Sequence, residues 1–154
     1  MNVRKRVVQA AESQLGVREL TGSNDGVPAE RYMRGDELAW CAAFVLWCYD
    51  VAGQPMYSSV REYYSLRNVQ RMEDSMKARG VWYGPALYDV VEPGDVVFFG
   101  SRIGSDAGPG RHVGVVEQAS YTGVHTIEGN VSDGVRRMSY AFGDPKITGF
   151  ARPQ

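Results

Sequence analysis

Between Asn2 and Leu15 the apolar residues Val3, Val7, Val8, Ala11 and Leu15 form one stripe at helical spacing, with Arg4, Arg6, Gln9, Glu12 and Ser13 off it. This pattern predicts an amphipathic helix that stops near Gly16. A loop rich in turn formers follows, from Thr21 to Pro28. The run from Trp40 to Ala52 has a different character. Ala42, Ala43, Phe44, Val45, Leu46 and Trp47 make it apolar nearly all round, which predicts a core helix ending at Gly53. Residues 58–79 predict one or two further helices. The clearer is Asn68–Arg79, with Asn68 as N-cap and Val69, Met72 and Met76 at helical spacing.

Beyond Gly84 and Pro85 the period changes. Pro93-Gly94 marks a turn, and Val96–Phe99, Val113–Val116, Val124–Ile127 and Ile147–Ala151 predict strands. A Gly-rich loop, Gly100–Arg111, separates the first two strands. Helices first and antiparallel strands after predict an α+β fold, with N-terminal helices packed on a C-terminal antiparallel β-sheet. A length of 154 residues suits one domain, 1–154.

Charge and composition narrow the function classes. Seventeen basic and eighteen acidic side chains give a net charge of -1, which lacks the basic excess expected of a nucleic-acid binder. No apolar run approaches the roughly 18 residues of a membrane span. Arg4, Lys5 and Arg6 are not followed by the apolar stretch of a signal peptide. The expectation is a monomer without nucleic acid or membrane insertion, made in the cytoplasm and acting after release or export.

The two cysteines are Cys41 and Cys48. On one helix they stand about 10.5 Å apart along the axis, beyond the roughly 7 Å Cα limit of a disulfide. No second Cys/His pair at ligand spacing suggests zinc. Cys41 falls in the first turn of the predicted core helix, where unpaired N–H groups favour a thiolate. Cys48, deeper in that helix, is expected to be an ordinary core residue.

A thiol nucleophile needs a base, and the chain offers His112 and His125. His112 lies at a loop-to-strand junction. His125 lies within a strand whose alternation puts Thr126, Glu128 and Asn130 on the opposite face, if that strand stays regular. Cys41 with His112, oriented by Glu128 or Asn130, is the simplest set. The oxyanion would be held by the Cys41 N–H and one of Tyr32, Asn130 or Trp40. The groove is expected between the Tyr57–Trp82 region and the Gly100–Arg111 loop, with Tyr63, Tyr64, Trp82 and Tyr83 mostly core.

Four segments then carry a family resemblance. Trp40-Cys41-Ala42-Ala43-Phe44-Val45, Pro93-Gly94-Asp95-Val96-Val97-Phe98-Phe99, His112-Val113-Gly114-Val115-Val116 and Ile127-Glu128-Gly129-Asn130 resemble, in order, the signature blocks of the CHAP domain. The name stands for cysteine, histidine-dependent amidohydrolase/peptidase. Gly16-Val17-Arg18-Glu19 through Asn24-Asp25-Gly26 is similar to the lead-in of phage-type members. The resemblance implies a papain-like fold and an endolysin-type peptidoglycan hydrolase. Such enzymes cut amide bonds in the peptide part of the bacterial cell wall, as N-acetylmuramoyl-L-alanine amidases, cross-bridge endopeptidases, or both. It also implies Cys41 as nucleophile, His112 as base, Glu128 as third member and Asn130 as fourth. Many relatives carry a separate wall-binding domain, for which this chain has no room. Some phage members bind calcium in an acidic loop. Here Asn24, Asp25, Glu30, Asp36 and Glu37 lack the alternating pattern of a calcium loop, so neither metal nor cofactor is expected. Two rival classes stand beside it: a papain-like peptidase or acyltransferase with a non-wall substrate, and a catalytically silent wall-binding module, which would have no need of Cys41, His112, Glu128 and Asn130 together.

Overall fold

The computed structural model describes residues 1–104 and 110–154. Five helices come first: α1 (Val3–Glu12), α2 (Val27–Arg31), α3 (Cys41–Val51), α4 (Val60–Leu66) and α5 (Val69–Ala78). Six strands follow: β1 (Trp82–Tyr83), β2 (Val96–Phe99), β3 (His112–Ala119), β4 (Gly123–Val131), β5 (Gly134–Ala141) and β6 (Ile147–Ala151). They form one antiparallel sheet in the order β1-β6-β2-β3-β4-β5, so the fold is α+β.

Local chemistry sets the helix ends. The Asn2 side chain accepts from the Lys5 N–H at 2.9 Å, and Asn68 accepts from Arg71 at 3.0 Å. Each takes up one of the unpaired N–H groups at its helix start. The apolar helix α3 is the hub. Ala42 through Leu46 are fully buried, and α3 packs against α1 on one side and β3 and β4 on another.

The sheet is buried on both faces. Val96, Phe98, Val113, Val115 and Ile127 join the helix-side core. Val97, Phe99, Val116, Val124 and Phe150 form a second core on the reverse side. This is why β2 is a continuous apolar run rather than an alternation. Beside it, the Pro93-Gly94-Asp95 turn acts as a structural clamp. Buried Asp95 accepts from Tyr83 Oη at 2.5 Å and from Arg152 Nε at 2.8 Å, and Tyr49 Oη donates to the Gly94 carbonyl at 2.5 Å.

Three elements differ from the sequence pattern. Helix α2 begins at the end of the expected loop, with Pro28 in its first turn, and was not predicted. Strand β1 is a two-residue edge that pairs with β6. Strand β5 pairs with β4 along nearly its whole length. Its alternation is masked by Arg136-Arg137, because one face of an edge strand can carry charge. Strands β3 and β4 also extend beyond the predicted cores.

The docking of α3 on β4 depends on Gly129. A Cβ there would sit 2.7 Å from Phe44 Cβ and 2.8 Å from the Trp40 ring. Gly129→Ala is therefore expected to lower the free energy of unfolding by about 1–3 kcal/mol, the usual range for overpacking. Urea denaturation followed by circular dichroism measures it, and an unchanged midpoint would contradict the packing account.

Candidate active site

Cys41 is the first residue of α3, following Trp40 in a non-helical conformation. No side chain caps this end, and the first turn contains no acidic residue. The partial positive charge of the leading N–H groups is thus neither paired nor neutralised locally. Cys41 is 8% exposed and lines a cavity of about 240 Å³ with His112 and Asn130. Cys48 is fully buried on the same helix, where burial pushes its thiol well above the usual range. Both cysteines are free.

His112 opens β3, is buried and lines the same cavity. Its Nε2 lies 2.8 Å from Glu128 Oε1. With that nitrogen engaged, Nδ1 is the one left for the cysteine. Glu128 is completely buried, and neighbours satisfy its oxygens. Tyr140 Oη donates to Oε1 at 3.1 Å, and Thr126 Oγ1 donates to Oε2. Burial alone would push the His112 pKa down. Hydrogen bonding to Cys41 and Glu128, with the charges of both, outweighs it and raises the pKa to about 10.

One glycine permits this arrangement. Glu128 crosses β3 over Gly114, where a Cβ would stand 2.5 Å from Glu128 Cγ. His112 and Gly114 are two residues apart on one strand and share a face. The histidine therefore needs its i+2 neighbour bare for the carboxylate to reach it.

Asn130 reaches the cavity by a different route from regular alternation. The β4 register shifts between Glu128 and Val131, and Asn130 adopts a left-handed φ of 60°. The expected shared face thus ends at Glu128, and a bulge turns Asn130 toward the cavity. Glu128, not Asn130, bonds His112. His125 lies on the exposed side of β4 with its Nδ1 2.8 Å from Ser139 Oγ, away from this cavity.

Two oxyanion candidates are committed elsewhere. Trp40 Nε1 donates to buried Glu19 at 2.7 Å, and Tyr32 Oη donates to Gln14 at 2.8 Å. The acidic residues of the 21–37 region are dispersed. Asp25 accepts from the Thr21 backbone at 2.9 Å, and Asp36 pairs with Arg67 at 2.7 Å. Among the described residues, no three His, Cys, Asp or Glu side chains gather to hold a metal ion.

The cavity is lined from the Tyr57–Trp82 region and the Gly100–Arg111 loop, as expected, and not by the aromatic residues considered there. Tyr63 is core, and neither it nor Tyr64, Trp82 or Tyr83 lines the cavity. Arg67, Asn68, Val69, Gln70, Arg102 and Arg111 do. The Gly100–Arg111 loop contributes Arg102, Gly110 and Arg111, while residues 105–109 lie outside those described. Sequence reasoning also missed Thr126, Tyr140 and Gly114. The period-two spacing Thr126-x-Glu128 and His112-x-Gly114 carried a signal for two of them. Tyr140 had none, because its strand was unread.

His112 is expected to remain protonated at pH 7–8 and to titrate near 10, visible as imidazolium shifts in NMR. Glu128→Gln removes a raising interaction and lowers that value. Because the folded pKa lies above the unfolded value near 6.5, the group's stabilisation is complete below about pH 6.5 and is lost as pH rises through about 10. A neutral imidazole at pH 7 would overturn this electrostatic account.

No curated protein is similar enough to the chain to count as a relative. The family profile of the CHAP domain matches residues 33–130, a span that contains Cys41, His112, Glu128 and Asn130 and covers more than half of the chain. The protein belongs to the CHAP domain family.

Proposed function

We propose that this chain cuts an amide bond in the peptide part of peptidoglycan by covalent thiol catalysis, with Cys41, His112, Glu128 and Asn130 as its working residues. Family membership implies amidase or peptidase action on peptidoglycan in general. The observation that carries the finer reading is the His112 ring, held by Glu128 at Nε2 and sharing one cavity with Cys41, which stands at an uncapped helix start.

The chemistry follows from those positions. The Cys41 thiolate attacks the amide carbonyl, and the oxyanion forms at the Cys41 backbone N–H. Asn130 supplies the second donor, since its amide borders the cavity while the Trp40 and Tyr32 donors are spent. The His112 imidazolium gives its Nδ1 proton to the leaving amine as the C–N bond breaks. A water then attacks the thioester, losing its proton to His112, and the acid product leaves with the thiolate restored. Glu128 keeps the ring oriented and charged throughout. The Gly16–Gly26 lead-in supports an endolysin. Its Glu19 carboxylate bonds Trp40, immediately before the nucleophile.

Cys41→Ala and His112→Ala are expected to abolish release of fragments with new free amines from purified peptidoglycan. Cys48→Ala and His125→Ala should keep most of it. Mass spectrometry of the digest identifies the bond, and equal loss in all four folded variants would remove the assignment.

Gly114→Ala tests the same geometry without touching a polar group. The added methyl displaces Glu128, so kcat should fall by about 10², the scale of a misdirected general base. The His112 pKa should fall with it. Full activity in a folded Gly114→Ala protein would show that the Glu128 contact is dispensable.

A further inference from the structure

Among the described residues, those lining the active-site cavity include three arginines, Arg67, Arg102 and Arg111, and no carboxylate. Their charges are compensated unequally. Arg111 pairs with Glu73, which is 2% exposed and also meets Lys77 Nζ at 3.4 Å, so that cluster retains a net positive charge. Arg67 is matched by Asp36 at 2.7 Å, on the solvent side. Arg102 has no ion-pair partner among the described residues.

Backbone charge has the same sign. Asn68, Val69 and Gln70, the cap and first turn of the ten-residue α5, border the cavity opposite the start of α3. Both helices thus point their positive ends toward one small volume. Glu128 does not line it, and its charge is taken up by His112. Among the described residues no carboxylate borders the cavity, and the charge of an attacking Cys41 thiolate would be consumed in forming the bond to the carbonyl carbon. A neutral glycan or an amidated peptide would leave this positive wall unmatched. A carboxylate would meet guanidinium groups suited to two-pronged hydrogen bonding.

We propose that the arginine wall is a carboxylate subsite, so that the enzyme prefers stem peptides bearing a free carboxylate beside the scissile amide over the same peptides with that carboxylate amidated. This rests on the hydrolase assignment above only for where the amide sits. The subsite itself is a binding property. Arg102 carries the largest share, being exposed and without an ion-pair partner among the described residues. Arg111 is tied to holding Glu73, and its replacement would strand a buried carboxylate.

The test uses a pair of synthetic stem peptides, one with the free carboxylate and one with the carboxamide at the same position. Full-length Cys41→Ala protein should bind the acid at least about tenfold more tightly by NMR titration, the scale of one charge-assisted hydrogen bond. That ratio should shrink as salt is raised. Wild-type protein should show the same preference in kcat/KM, chiefly through KM. Arg102→Gln should bring both ratios close to one, and Arg102→Lys should restore part of them. Equal affinity for the two peptides, including no binding of either, overturns the subsite, as does a preference that survives Arg102→Gln. Tighter binding of the acid without turnover by wild type would uphold the subsite and discard the hydrolase assignment. Turnover without preference would do the reverse.

Discussion

A carboxylate with no solvent exposure is costly to bury, and Glu128 is such a group. Its cost is offset only if every oxygen finds a partner and a positive charge stands nearby. The fold meets both conditions with Tyr140 and Thr126 as donors and His112 as the cation. Each partner comes from a different place on the sheet: β3, β4 and β5. The pairing of those three strands is therefore coupled to the charge state of one histidine.

The placing of Cys41 depends on a second contact system, between helix and sheet. Gly129 lets Phe44 and Trp40 close on β4, and Trp40 in turn is held by Glu19 from the lead-in segment. Cys41 follows Trp40 directly, so its position is determined from both sides. The two systems meet at residues 128–130, where a strand carrying the carboxylate becomes a bulge carrying Asn130. Neither a shift of α3 nor a slip of β4 could occur without separating thiol from imidazole.

Much of this was legible from residue pattern. The stripe of α1, the apolar α3 and the Asn68 cap all follow from local physics, and the blocks around Cys41, His112 and Glu128 contain residues that the fold brings to one candidate cavity. What stayed hidden was tertiary in origin. The face shared by Glu128 and Asn130 assumed a regular strand, and the bulge is visible only once β5 supplies a register. Tyr140 became a partner of Glu128 because β5 exists. The arginine wall is assembled from residues 67, 102 and 111, which no spacing rule connects. Trp40 and Tyr32 could be excluded as oxyanion donors only after their own acceptors were found.

The same two arginines that disguised β5 have a protective effect at the edge of the sheet. Arg137 reaches back to Glu117 on β3, and Arg136 binds the Val131 carbonyl at the hairpin end. An edge strand otherwise offers unpaired backbone to any extended chain that drifts past. Bulky charge along β5 makes it a poor template for such addition. Recruitment of the chain into an intermolecular sheet through this edge is thereby disfavoured.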